Sequence, residues 1–531
     1  MADINGELIM DNNHYDVIVV GGGISGILSA LALSKHGNSV LVLEKDSIVG
    51  GNCRSYQVDG FTVDTGPHAI TSLMGGPLPK LMDQYFDAAP RFKPYGNYFI
   101  RTQEAQLVCC PTNARDFLMF DYLPLKDRMK LASVVGSVMV KAGTGTDYSK
   151  RSVYDCLPEG LSPETLAFAN TFSMFMSGRG MKETSVQRMI AGAGVVAEAN
   201  LTSEDFRDIV CGDAPVKKMK KEKEKKDGKK DKKDTKKKKE SEKKESEKKE
   251  KSKKSAPQDS LFGAAKKMVT HGGFSTQGYP VGGIQSILDC ALKSMPARVT
   301  FQTNAPVQKI LADKNKAVGV ETAENEYTGD LIIYTGFASS LPQLMELPVS
   351  YTNQLNGIDH TVSLSLWIGL DENRPEFDYI GSEVQFEGMP YWGGPISNYD
   401  SSLAPKDCQS VGFAFIPQSR DNMKKNIKEA YNELFTLLPK IERHVAMRHE
   451  QITIPEKAAI TIDGEFADIR SPIRNLYLAG TDTDRRSMGI TRAAYSVVEL
   501  LKALHEDGLL RRQNDFRGYD FNRAYLPLIK K

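Results

Sequence analysis

The chain is poor in the residues that build small cross-linked or metal-centred folds. Its seven cysteines (Cys53, Cys109, Cys110, Cys156, Cys211, Cys290 and Cys408) are odd in number, scattered, and never spaced Cys-x-x-Cys. That argues against a disulfide scaffold and a structural zinc site, and for a reducing compartment. Neither His-Glu-x-x-His nor Gly-x-Ser-x-Gly occurs, so zincin and serine-hydrolase chemistry have no foothold and no metal is expected. The first residues, with Asp3, Glu7 and Asp11, lack a basic region followed by an apolar core, so no secretory leader is expected. Val17 to Ser34 is uncharged and long enough to approach a membrane span. Gly21, Gly22, Gly23 and Gly26 interrupt it, and it reads as strand, turn and helix.

What the chain does have is length and a soluble composition. Its 531 residues, 40% hydrophobic and 26% charged, suffice for more than one domain. The net charge of +2 conceals a low-complexity block between Lys217 and Lys254, where 22 lysines face 10 acids. Without that block the chain would carry −10. The block has no arginine and no aromatic residue, so bidentate phosphate contacts and base stacking are not available, and nucleic acid is not an expected partner. It reads as a solvated insert, with weak attraction to an acidic membrane surface as the alternative.

Asp16 to Val20 is a β-branched run typical of a buried parallel strand. Ile24 to Lys35 has helical apolar spacing and stops at Gly37, and Ser39 to Leu43 is a second strand ending at Glu44. Between them lies Gly21-x-Gly23-x-x-Gly26, in the strand–turn–helix context that a dinucleotide site requires. The first glycine makes the turn, the second admits a diphosphate, and the third lets helix pack on strand. Ile24 and Ser25 then present N–H groups at a helix N-terminus, and Glu44, followed by Lys45, is placed to accept ribose hydroxyls.

The residues that follow decide between dinucleotides. Gly50-Gly51-Asn-Cys-Arg54-Ser55, Asp64-x-Gly66-Pro67-His68, Tyr279-Pro280-x-Gly282-Gly283 and Leu476-Tyr-Leu-Ala-Gly480-Thr-Asp482-Thr483 with Gly489-Ile490-Thr491 together resemble the FAD-dependent phytoene desaturase and flavin amine oxidase superfamily. The run Ser55 to Thr71 is most similar to carotenoid and isoprenoid desaturases or saturases. The resemblance implies FAD, with Gly50 and Gly51 beside the diphosphate and Gly66 and Pro67 near the isoalloxazine. It also implies the Val307 backbone at the adenine, in the strand after residue 298, and Asp482 at the diphosphate–ribitol region. A helix starting after Gly489 would face the flavin N1 and O2. Two departures mark this chain. Asn52 stands where the family usually has arginine, with Arg54 close by, and Asp482, Arg485 and Arg486 replace the usual glycines and proline.

Other residues carry two readings each. His68 is the catalytic candidate, or a histidine packed against its turn. Cys53 is a reactive thiol or a buried inert one. Arg485 and Arg486 line a pocket mouth or are solvated. Tyr391, Trp392 and Tyr399 line a substrate tunnel or are core aromatics.

The expected fold is α/β, a Rossmann-like FAD-binding domain with a discontinuous α+β substrate domain. The FAD domain is drawn from residues 1–75, 256–344 and 466–510, and the substrate domain from 76–216 and 345–465. The Lys-rich insert spans 217–255 and a C-terminal tail 511–531. The expected function is hydride transfer between flavin and a hydrophobic polyene or isoprenoid. The alternatives are a flavin amine or protoporphyrinogen oxidase, and a flavin-containing scaffold with a recruiting Lys-rich arm. A cytoplasmic, membrane-associated location is expected. Docking would run through Phe117 to Leu123, with Lys126, Arg128 and Lys130 nearby.

Overall fold

The computed structural model describes residues 13–66, 68–73, 75–111, 114–192, 203–213, 277–385, 391–417, 420–455 and 457–517. Pro67 and the Lys-rich segment 217–255 lie outside them.

Two seven-stranded sheets organise the described residues. The first half contributes β1 (His14–Val20), β2 (Val40–Leu43), the hairpin β3 (Ser55–Val58) and β4 (Phe61–Asp64), β5 (Phe92–Pro94), β6 (Asn97–Arg101) and β7 (Leu107–Cys109). After β8 (Gly278–Pro280) come β9 (Val299–Gln302), β10 (Lys309–Asp313), β11 (Lys316–Glu321), β12 (Glu326–Tyr334) and β13 (Ser363–Leu370). The last strands are β14 (Gly381–Gln385), β15 (Tyr391–Pro395), β16 (Gln409–Phe415), β17 (Val445–Thr453) and β18 (Leu476–Leu478). Helices are α1 (Ile24–Lys35), α2 (Pro77–Tyr85), α3 (Ala114–Leu118), α4 (Leu125–Gly143), α5 (Val153–Cys156) and α6 (Pro163–Ser177). They continue with α7 (Val186–Gly192), α8 (Ser203–Cys211), α9 (Gln285–Lys293), α10 (Val349–Asn356), α11 (Met423–Leu437) and α12 (Gly489–Glu506).

The first sheet runs β10-β11-β12-β1-β2-β9. Its parallel part is β9, β2, β1 and β12, with β18 pairing parallel to the last residues of β12. β1 is buried on both faces because its alternate side chains enter different cores. Val17 and Val19 pack with α1, α2, α9 and α12, while Ile18 and Val20 pack with Tyr351, Leu355 and Leu476. This is the Rossmann-like layer expected from the β-branched run. Val307 departs from expectation: it lies in the loop between β9 and β10, not in a strand. Asn304, at φ +54°, and Pro306 end the extended run, and the Asn304 and Ala305 N–H groups turn to the carbonyls of Asp46 and Glu44.

The second sheet runs β17-β13-β16-β15-β14-β6-β7 and is antiparallel except where β14 meets β6. It joins chain segments far apart in sequence, with α11 on one face. A fully buried carboxylate ties the two parts together. Asp64 accepts from Ser55 Oγ at 2.6 Å, Tyr279 OH at 2.6 Å and the Ile284 N–H at 3.2 Å, while its carbonyl receives Gln451 Nε2 of β17 at 3.0 Å.

His36, just past α1, makes the fold acid-sensitive. Its ring is buried between Tyr85 OH at 3.0 Å and the Arg511 carbonyl. Burial pushes its pKa down to about 4. The unfolded chain therefore takes up a proton near pH 6.5 that the folded chain refuses. The stability this represents is present above that pH and lost as pH falls toward 4. Wild type is expected to lose about 2–3 kcal/mol through this group between pH 7.5 and 4.5. Urea unfolding at the two pH values measures it, and His36→Gln should flatten the slope; parallel slopes would contradict the assignment.

Candidate functional site

A cavity of about 640 Å³ is lined from both sheets and joins two chemically different ends. Gly21, Gly23, Ile24, Ser25, Glu44, Lys45, Gly51 and Arg54 line one end; Tyr98, Phe175, Tyr391, Trp392 and Phe415 line the other. Gly66, His68, Gly489 and Ile490 also line it.

The β1–α1 turn is shaped by its three glycines, each for its own reason. Gly21 has φ +107°, and a Cβ there would meet Thr335 Oγ1 at 2.8 Å. A Cβ on Gly26 would lie 2.0 Å from the Gly21 carbonyl, so helix and strand can pack only without one. Gly23 differs: nothing lies within 4 Å of a Cβ built on it. It opens onto the cavity as the N-cap of α1, a helix with no side-chain cap and no acid in its first turn. Such an end attracts anionic oxygen. Gly50 bridges Gly23, and a Cβ on Gly51 would sit 3.2 Å from Gly23 Cα, so a second glycine pair closes on the first. Glu44 accepts from the Gly22 N–H at 2.6 Å and the Asp46 N–H at 2.9 Å. Arg54 Nε donates to the Gly51 carbonyl at 2.8 Å, and Asn52 turns to the Ile454 carbonyl.

The other expected residues divide. Val307, Gly489 and Ile490 line the cavity, and α12 begins there, again with no side-chain cap and no acid in its first turn. Gly26, Gly50, Ser55, Gly480, Asp482, Thr483 and Thr491 do not line it. Ser55 is engaged with Asp64 and the Gln285 N–H, Asp482 accepts from the Ala338 N–H at 2.6 Å, Thr483 bonds the Gly480 carbonyl, and Thr491 pairs with Thr71. These side chains hold the frame of the cavity, and none reaches its surface.

His68 lines the cavity with Nε2 3.1 Å from the Thr65 carbonyl; burial lowers its pKa against the opposing charge of Asp64, so the ring is neutral near pH 7. Cys53 is buried and its thiol is pushed well up, which makes it unreactive. Arg485 covers the Phe466 ring, and Arg486 pairs with Asp484 and Glu499; neither lines the cavity. Tyr391 and Trp392 do, whereas Tyr399 stacks on Tyr279 outside it. Trp392 Nε1 is buried with no hydrogen-bond partner among the described residues.

Sequence reasoning missed Lys457. It lines the cavity, donates to the carbonyls of Thr335 and Gly336 at 2.5 and 2.7 Å, and lies 5.3 Å over the Phe337 ring; burial lowers its pKa. A single lysine in a loop carries no spacing signal. Thr335 and Gly336, at the end of β12, carry a weak one.

A family model for the NAD(P)-binding Rossmann-like domain matches residues 19–86. An uncharacterized protein of the nifH2 3' region in Methanothermococcus thermolithotrophicus is 56% identical over 92 residues, 17% of this chain and 89% of that protein. All-trans-retinol 13,14-reductase of Danio rerio is 39% identical over 85 residues, and prolycopene isomerase 2 of an Oncidium hybrid is 36% identical over 102 residues. The reductase and isomerase matches cover 16% and 19% of this chain, and the chain spans only 14% of the length of either relative. At the level of fold the likeness runs through almost the whole chain. An oxidoreductase of Methanosarcina mazei superposes with a TM-score of 0.66 at 17% identity, covering 92% of this chain and 99% of that one. A redesigned putrescine oxidase superposes with a TM-score of 0.59 at 14% identity, covering 93% and 99%. The protein thus shares the fold of these oxidoreductases.

Proposed function

We propose that this protein binds FAD and transfers hydride between the flavin and an elongated apolar substrate of the polyene or isoprenoid class. One observation carries the reading: a single cavity joins a glycine-lined helix N-terminus to an aromatic chamber. The residues fit the cofactor. Gly23 and Gly51 leave a cradle that a side chain would fill, and α1 directs its first N–H groups there. When bound, FAD supplies the two-electron chemistry. The chain's own work is to orient and to exclude water. Glu44 would hold the ribose and Val307 the adenine, and the start of α12, which opens on the same cavity, would face the pyrimidine edge, where a helix dipole stabilises negative charge. His68 stays neutral and, through Nε2, is held by the Thr65 carbonyl beside Gly66.

The chamber favours an apolar substrate over an amine. Among the described lining residues the carboxylates are Glu44 and Asp46, both at the nucleotide end. A cationic amine would meet no counter-charge among the aromatic rings. Tyr477 and Tyr495 offer the cavity no aromatic pair: neither lines it, Tyr477 donates to Asp507, and Arg486 covers the Tyr495 ring.

The purified protein is expected to be yellow and to release FAD on acid treatment. Incubated with lipid extracts under aerobic and reducing conditions, it should shift a polyene or isoprenoid by two hydrogens, read by mass spectrometry. A colourless protein that binds NAD would overturn the cofactor assignment. Turnover of amines without any lipid shift would overturn the substrate class.

A further inference from the structure

α4 has two apolar faces. At about 100° per residue, Leu131, Val138 and Ala142 fall on one side. Leu131 enters the core with Phe120 and Leu123, and Val138 and Ala142 pack against Tyr148, Val153 and Val186. Leu125, Met129 and Val140 fall on the other side and face water, at 60%, 57% and 62% exposed. At the end of α3, Leu118 and Met119 extend the same exposed surface, Met119 at 75%. Arg128 ties the two helices by donating to the Leu118 carbonyl. The sequence run Phe117–Leu123 is therefore split. Phe120 and Leu123 are buried and Phe117 is half-buried against the same core, so those aromatic residues are not the ones that could insert elsewhere.

Charge says what the exposed face fits. α4 carries Lys126, Arg128, Lys130 and Lys141, and its one carboxylate, Asp127, is buried against Ser162 and Thr165. A cation-bordered apolar stripe on a protein whose remaining sequence is acidic suits an anionic lipid surface, and like charges oppose pairing with a second copy. Lysine stems can lie along the stripe with the ammonium groups at the headgroups. Beneath this surface a row of rings leads inward. Phe120 lies 6.0 Å from Phe168, Phe168 4.7 Å from Phe172, Phe172 6.5 Å from Phe175, and Phe175 5.8 Å from Trp392 on the cavity wall.

We propose that the outward face of α4, with Leu118 and Met119, docks on an anionic phospholipid bilayer. The aromatic row behind it is the apolar side of a route to the cavity; that purpose rests on the apolar-substrate reading, whereas the docking itself does not.

Sedimentation of the full flavin-loaded chain with vesicles tests it, using phosphatidylcholine alone and phosphatidylcholine doped with phosphatidylglycerol at about 0.1 M salt. Wild type should pellet with the doped vesicles. Met119→Asp with Met129→Asp should lower partitioning by about tenfold or more, without changing flavin absorbance or the thermal midpoint, because both side chains face water. Lys126→Gln with Lys141→Gln should reduce binding to the phosphatidylcholine level. Wild type remaining in the supernatant would overturn the proposal. So would undiminished binding by the Met119/Met129 variant, which would point to lysines elsewhere, or a wild-type dimer that this variant converts to monomer. Vesicle binding by a colourless protein would leave the docking intact and overturn the flavin reading; a yellow, active protein that ignores vesicles would do the reverse.

Discussion

Gly23→Val is expected to fold normally and to purify without flavin. The residue has φ −67° and ψ 174°, extended backbone open to any L residue, and its Cβ would meet no atom within 4 Å. Nothing in the polypeptide opposes the substitution. The new methyl groups would stand where the α1 N-terminus meets the cavity and where Gly51 closes from the other side. Losing the hydrogen bonds of that helix end to a diphosphate should weaken FAD binding by about 3 kcal/mol or more, a hundredfold in Kd. Gly26→Val is the contrast, because its Cβ clashes with the Gly21 carbonyl and should cost the fold as well as the cofactor. The ratio of flavin to protein absorbance, read beside the thermal midpoint, separates the two. Retained flavin in Gly23→Val would mean that the diphosphate does not rest on this turn.

Arg101→Met should cause the largest loss of stability among single changes in the second sheet. Arg101 on β6 and Glu383 on β14 are both almost fully buried. Arg101 Nε donates to Glu383 at 2.8 Å, and the hydroxyls of Tyr379 and Tyr391 donate to the same carboxylate at 3.0 Å. Removing the guanidinium leaves a buried carboxylate without its counter-charge, a loss of about 3–5 kcal/mol. Adding Glu383→Gln removes the charge, keeps an acceptor for one tyrosine and offers an N–H to the hydroxyl oxygen of the other, and should recover more than half of that loss. Urea midpoints of the single and double variants measure this. A loss under about 1 kcal/mol for Arg101→Met would mean that water reaches the carboxylate. Because Tyr391 also lines the cavity, the single variant should disturb the aromatic chamber as well.

Local backbone chemistry was legible before any coordinates. The β-branched run of β1, the glycines of the first turn, the span of α1 from Ile24 to Lys35 and the start of α12 at Gly489 each depend on a few neighbouring residues. Such segments have one favourable conformation almost regardless of what surrounds them. The same holds for the acidic balance of the chain outside its Lys-rich block. These features sufficed for the fold class.

Side-chain direction and long-range assembly were decided only in three dimensions. Asp482, Thr483, Thr491 and Ser55 sit in the right motifs, yet each finds a nearer partner in the frame and turns from the cavity. Lys457 reaches the cavity because the loop after β17 brings it to the end of β12, more than a hundred residues earlier in the chain. The second sheet pairs β6 with β14 across more than two hundred residues, and no local pattern specifies that register. Between Phe117 and Met129 the sequence offers apolar and basic residues together, but helical phase and the core beneath send Phe120 inward and leave Met119 in water. Motifs record what the backbone must do locally. Which face of each element is buried depends on contacts between distant segments, and those are settled only when the whole chain packs.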